Sequence, residues 1–127
     1  MGEPGPRTRR FFRIVLTDPP TGWDFMSNEA RGFRPPSRDP ETVRLWAGIS
    51  VYDQRRYARK VAQRAPRLGA FLAELRIPET GAIDFERTTK SHGHYTLWGD
   101  PARMLTCVVD VKPVSASPDD SESGDEQ

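Results

Sequence analysis

Cysteine is almost absent from this sequence. Cys107 is the single one in 127 residues, which excludes an intramolecular disulfide framework. Histidine is nearly as scarce, with His92 and His94 alone. A zinc site needs three or four ligands, and the available additions, Cys107, Asp100 and Glu86, stand at no diagnostic spacing, so no metal is expected. No run approaches the roughly 20 apolar residues that span a bilayer. The opening MGEPGPRTRR lacks the apolar stretch of a secretory signal. The expectation is a cytoplasmic protein without membrane contact. Phosphate-binding GxxxxGK and GxGxxG patterns are missing as well. Ser50 with a histidine supplies two members of a hydrolase triad, and no nucleophile-elbow sequence surrounds it.

Acids are missing where bases are dense. The last stretch, SASPDDSESGDEQ (residues 115–127), holds five of the 18 acids and no base. Residues 1–114 therefore carry 19 bases against 13 acids. A near-neutral total conceals a basic domain followed by an acidic tail, an asymmetry that suits phosphate-bearing partners or a tail folded back on the basic face. The tail has no aliphatic side chain longer than alanine and no aromatic. It cannot bury enough apolar surface to offset its ordering entropy and reads as disordered. The division expected is a flexible basic arm (1–9), one domain (10–114) and the disordered acidic tail (115–127). The length suits one core.

What is present is a sequence of short elements. Residues 10–16 (RFFRIVL) read as a strand ended by Asp18-Pro19-Pro20. Residues 23–30 suit a short helix, and the Pro- and Arg-rich RGFRPPSRDP reads as a long surface loop. Asp39-Pro40-Glu41 combines a capping side chain, proline at the first helical position and an acid in the first turn. GISVY (residues 48–52) suggests a strand. Asp53 suits the cap of the clearest helix, DQRRYARKVAQRA, which Pro66 stops. GAFLAELRI (69–77) alternates as a strand, and AIDFER (82–87) follows across Pro78-Glu79-Thr80-Gly81 as a hairpin-like partner. Residues 94–98 form another strand, Asp100-Pro101 starts a turn of helix, and LTCVVDV (105–111) closes the domain. This order argues for an α+β fold, mostly antiparallel, with two or three short helices.

Two places carry candidate chemistry. His92 and His94 are two apart, so on a strand both would face one side. A substrate-orienting role suits neutral imidazole near neutral pH, whereas His92 reads better as part of the preceding turn. The helix after Asp53 carries Arg55, Arg56, Arg59, Lys60 and Arg64 with no acid beyond its start. Opposite them runs a stripe of Tyr57, Ala58, Val61, Ala62 and Ala65. An unbalanced basic face permits contact with nucleic acid or an acidic protein, although no recognised nucleic-acid motif accompanies it and a plain solvated face is the commoner reading.

The order FFRIV, then GISVY running into a helix, then HYTLWGDPARML resembles the ADP-ribosyltransferase-like fold. The last two pieces also resemble a group of small bacterial proteins. The resemblance implies a cleft for NAD or another nucleotide and, in its enzymatic form, transferase or NAD-consuming activity. In that family the first strand carries an arginine or histidine that meets NAD, which is Arg13 here. The second motif strand presents serine, threonine or tyrosine, which falls on Ser50 and Tyr52, with Tyr52 suited to stack on nicotinamide. The late strand carries a glutamate followed by tyrosine, and here His94 and Tyr95 stand there. Imidazole cannot supply the fixed negative charge that glutamate provides beside a developing oxocarbenium ion. Either Glu86 or Glu74 reaches the site from a neighbouring strand, or the fold has lost the transfer. The alternative function is a non-catalytic module whose basic helix binds a polyanion under control of the tail.

Overall fold

The structure, a computed structural model, describes residues 7–89 and 92–115. The first six residues of the expected arm and residues 116–127 of the expected disordered tail lie outside the described residues. In chain order the elements are β1 (Thr8–Val15), a 3-10 turn (Gly22–Phe25), α1 (Pro40–Trp46), β2 (Ile49–Tyr52) and α2 (Arg55–Arg64). A second 3-10 turn (Pro66–Leu68), β3 (Phe71–Pro78), β4 (Asp84–Arg87), β5 (His94–Trp98), α3 (Pro101–Leu105) and β6 (Val108–Pro113) follow. The six strands form one sheet in the order β4-β5-β2-β1-β3-β6, antiparallel at every pairing. This is a single α+β layer arrangement.

Alternation along the strands makes two cores. Phe11 and Val15 of β1, Ile49 and Val51 of β2, and Leu75 and Ile77 of β3 point to one face. There Phe25 of the first 3-10 turn and Met104 of α3 cover them. Phe12, Ile14 and Leu72 point to the other face, against Ala58 and Ala62 of α2. Each fully buried side chain of this size contributes about 1.5–3 kcal/mol of transfer free energy, so the period-2 pattern of β1 and β3 binds a layer on each side.

Several local expectations change. Residues 23–30 do not form one helix. In the 3-10 turn Gly22–Phe25 the Thr21 amide donates to Asp24 Oδ2 at 2.9 Å in a capping box, and the Met26 amide closes on the Trp23 carbonyl. The chain then turns again, with the Arg31 amide on the Ser27 carbonyl at 3.0 Å. Asp53 does not cap α2. Gln54 occupies the cap position without a side-chain bond, while the Asp53 amide donates to the Gly93 carbonyl at 2.9 Å. The β3–β4 hairpin does not form. β3 lies between β1 and β6, and β4 pairs with β5 at the far edge, because Phe85 of β4 and Ile83 just before it find their apolar partners near Tyr95 and Leu97. Asp39 and Asp100 do cap α1 and α3, accepting from Thr42 N at 3.2 Å and Ala102 N at 3.3 Å.

α2 also differs from its sequence pattern. The stripe facing the sheet is Arg55, Ala58, Arg59 and Ala62, all buried, at the i, i+3, i+4, i+7 spacing of one helical face. Arg55 lies over the Phe12 ring at 4.9 Å and meets Glu74 of β3 at 3.4 Å. The acid absent from the helix is supplied by the sheet.

Candidate functional site

β1 has two unlike neighbours. Toward β3 its register is complete, from Thr8 opposite Pro78 to Val15 opposite Phe71. Toward β2 the strands pair at a single position, Phe12 opposite Tyr52. β2 itself is fully laddered to β5, from Ile49 opposite Leu97 to Tyr52 opposite His94. The sheet is thus two three-stranded halves joined at one stitch, with a seam beyond it. Backbone groups along such a seam must find other partners. The Ser50 carbonyl accepts from Arg13 Nη1 at 2.8 Å, and the Asp24 carbonyl accepts from Arg13 Nε at 3.0 Å. The Arg13 guanidinium therefore substitutes for missing ladder bonds.

A cavity of about 610 Å³ opens at this seam. Arg13, Ser50, Tyr52 and His94 all line it, joined by the loop residues Arg31 and Thr89. Trp46 and Leu45 of α1 form another wall. α1 is fastened to the sheet edge by Arg44, which grips Glu86 through Nη1–Oε1 at 3.0 Å and Nη2–Oε2 at 3.2 Å. Arg44 also stacks over Trp98 at 4.9 Å, and the Trp98 indole donates to the Arg44 carbonyl at 2.9 Å. Gly48, at the entry to β2, has no room for a side chain: a Cβ would overlap Thr96 Cγ2 and lie 2.8 Å from the Leu97 carbonyl oxygen.

The electrostatics of the cavity are lopsided. Arg13, Arg31 and Arg67 line it, against one carboxylate, Asp24. Both Asp24 oxygens are already engaged, Oδ1 by the Leu16 amide at 2.8 Å and Oδ2 by the Thr21 amide. Burial, and then the neighbouring Arg31 charge, push the Arg13 pKa down to about 10, with Asp24 opposing that shift. Arg13 Nη2 has no acceptor among the described residues. Arg31 lies over the Trp23 ring at 4.7 Å and donates from Nη2 to the Trp23 carbonyl at 2.6 Å, leaving its Nε buried without a hydrogen-bond partner. Burial raises the Tyr52 pKa, so its phenol stays neutral beside these cations. Uncompensated guanidinium groups with unused donors favour an anion.

His94 is held at both ring nitrogens. Nδ1 lies 3.0 Å from the Thr88 carbonyl oxygen, 3.1 Å from Thr88 Oγ1 and 3.4 Å from Thr89 Oγ1. The carbonyl can only accept, so the tautomer that satisfies it has the hydrogen on Nδ1. Nε2 faces Ser50 Oγ at 2.9 Å. The Tyr52 ring meets the imidazole edge-on at 5.4 Å. Thr88 is fixed in turn by a 2.7 Å bond to Thr96 Oγ1. The following residue, Thr89, adopts φ +64, a left-handed conformation that costs a β-branched residue about 1–3 kcal/mol and clusters at functional sites.

Not every residue singled out in the sequence arrives here. Tyr95 points to the opposite face of β5, packed 4.9 Å from Phe11, its hydroxyl accepting from Arg9 Nη2 at 3.0 Å. This is a consequence of strand alternation: the residue after His94 cannot share its side. Glu86 does not line the cavity, being held on the edge strand by Arg44. Glu74 does not line it either, since Arg55 and Arg76 hold it from both sides, Arg76 Nη2 at 2.9 Å from Oε2. His92 is exposed in the turn before β5 and stacks on Tyr57 at 6.0 Å. No group of three or more metal-ligating side chains occurs among the described residues. No helix among the described residues is long and apolar enough to cross a membrane.

Asp24, Arg31 and Arg67 were missed in the sequence. Thr21-x-x-Asp24 carries a capping-box signal, whereas nothing local marks Arg31 or Arg67, which long-range folding brings to the cavity. No protein-family model matches the chain, and neither the curated proteins nor the solved structures include a match.

Proposed function

We propose that the seam cavity binds NAD or a related nucleotide, in an ADP-ribosyltransferase-like arrangement. The observation that carries this reading is the convergence of Arg13, Ser50, Tyr52 and His94 from three different strands on one cavity. These strands, β1, β2 and β5, are the three that bear the motif positions, and they are neighbours in the sheet. The volume lies within the about 300–1,000 Å³ usual for small-molecule sites. In this reading Arg13 and Arg31 meet the phosphates through their unused donors, and Tyr52 offers its ring to the nicotinamide. His94 and Ser50 meet ribose hydroxyls. Asp24 is the one carboxylate of the described lining, and its oxygens are occupied, so His94 takes the polar contact that a glutamate makes in the family.

Calorimetric titration with NAD tests the reading. Saturable binding is expected, weakened at least tenfold in Arg13→Ala and in His94→Ala. A folded wild-type protein that takes up no NAD at millimolar concentration overturns it. Release of nicotinamide during incubation decides separately whether the bound nucleotide is cleaved.

The basic-helix alternative has less support. Arg55 and Arg59 face the sheet, and Arg56 is half-buried, bonded to Gln54 Oε1 at 2.7 Å and to the Tyr57 hydroxyl at 3.2 Å. Lys60 and Arg64 alone of the five are exposed, which is a thin footprint for polyanion contact.

A further inference from the structure

The bonds around His94 have a chemical meaning that does not depend on a nucleotide. In the neutral tautomer that donates its Nδ1 hydrogen to the Thr88 carbonyl at 3.0 Å, Nε2 presents its lone pair to the cavity. The group facing that lone pair is the Ser50 hydroxyl, at 2.9 Å. A hydroxyl on the lone pair of an imidazole whose other nitrogen is held by an acceptor has the logic of an activated nucleophile: attacking group, base and orienting group in line. Here a backbone carbonyl fills the orienting place. Ser50 is an exposed residue of β2 between buried Ile49 and Val51, so strand alternation turns its side chain away from the core. The same cavity carries the Arg13 guanidinium, bonded to the carbonyl of Ser50 itself, with Nη2 uncommitted.

We infer that Ser50 and His94 form a nucleophile–base pair that cleaves carboxylic esters bearing an anionic group. In the first step Ser50 Oγ bonds to the ester carbonyl carbon while its proton passes to His94 Nε2. The carbon–oxygen bond to the alcohol then breaks, and the departing oxygen takes the proton back from His94. Water gives a proton to His94 and attacks the acyl-serine, and Ser50 Oγ leaves with that proton, which restores the starting state. Arg13 faces the charge that develops on the carbonyl oxygen. The excess of Arg13, Arg31 and Arg67 over Asp24 selects an ester with a carboxylate or phosphate arm.

The test uses the full chain with a fluorophosphonate probe, followed by intact and peptide mass analysis. One adduct per chain on Ser50 is expected, absent in Ser50→Ala. His94→Gln, which keeps a polar group of similar size but cannot take the proton, should slow labelling by a factor of about 10² or more, with an unchanged circular dichroism spectrum. p-Nitrophenyl hydrogen glutarate should be hydrolysed at least tenfold faster than p-nitrophenyl butyrate. No adduct on wild type, an adduct on another residue, or labelling indifferent to His94→Gln overturns the inference. Because none of the three compounds contains a nucleotide, these outcomes are independent of NAD binding.

Discussion

The two sides of β1 make an instructive pair. Toward β3 every residue from Thr8 to Val15 has a partner in register, and buried Arg55 meets a buried carboxylate, Glu74, which Arg76 holds from its other oxygen. Toward β2 one pair closes the ladder, a guanidinium stands in for the missing amides, and the positive charge is left in excess. A complete ladder spends the hydrogen-bonding capacity of a strand on stability. An interrupted one leaves donors and space, which is where a binding site can exist.

Breaking the closed side should have the largest effect. Glu74→Ala removes the carboxylate that buried Arg55 faces, and breaking a buried ion pair by removing one partner costs about 3–5 kcal/mol. A loss of about 3 kcal/mol is expected in urea denaturation, with the cavity residues unaffected. A loss below about 0.5 kcal/mol would mean that the two sides are not energetically distinct.

On the open side the larger stability effect should come from a glycine rather than a charge. Gly48→Ala forces a Cβ into Thr96 and the Leu97 carbonyl, and overpacking of this kind costs about 1–3 kcal/mol. Denaturation should show a loss of about 2 kcal/mol, together with shifted amide resonances on β2 and β5 and unshifted ones on β6.

Arg13→Gln should separate stability from binding. The substitution removes two hydrogen bonds but also a desolvated charge that Arg31 repels. The net change in stability is expected near 1 kcal/mol, while NAD affinity falls at least tenfold. Comparable losses at Glu74 and Arg13 would erase the contrast between the two sides.

The smallest effect concerns alkaline pH. The Arg13 pKa in the folded protein, about 10, lies below the ordinary arginine range. Folding therefore disfavours its charged form: the penalty is complete below about pH 10 and fades as pH rises from there toward the ordinary arginine range. Relative to Arg13→Gln, wild-type stability should rise slightly across that window. Affinity for an anion should move the other way, holding steady up to about pH 9 and falling above about 10. Parallel denaturation and titration series on both proteins check the two signs.

The sequence exposed the elements better than their partners. Strands 10–16, 48–52, 69–77 and 94–98 were readable because their apolar residues alternate, and Asp39-Pro40 and Asp100-Pro101 announced α1 and α3 through local capping chemistry. The pairing of β4 with β5 was not readable, since a four-residue connection suggests a hairpin and only the shared core near Phe85 and Tyr95 sends β4 to the other edge. The buried positions of Arg55 and Arg59 were hidden for a related reason: the acid that accommodates Arg55 lies on β3, 19 residues away. Within the site, Arg13, Ser50, Tyr52 and His94 were singled out from motif order. Tyr95 was assigned to the same place although strand alternation already sends it to the opposite face. Arg31 and Arg67 carry no local mark, because a cavity formed by loops is a property of the folded chain.

The proposal to be tested is that the open seam beside β1 receives an anionic nucleotide. Amide and side-chain NMR during an NAD titration tests it most directly. The account predicts saturable shifts at Arg13, Ser50, Tyr52 and His94, with β3 and β6 unmoved. Unchanged spectra at millimolar NAD, or shifts confined to Lys60, Arg64 and the outer face of α2, would contradict it.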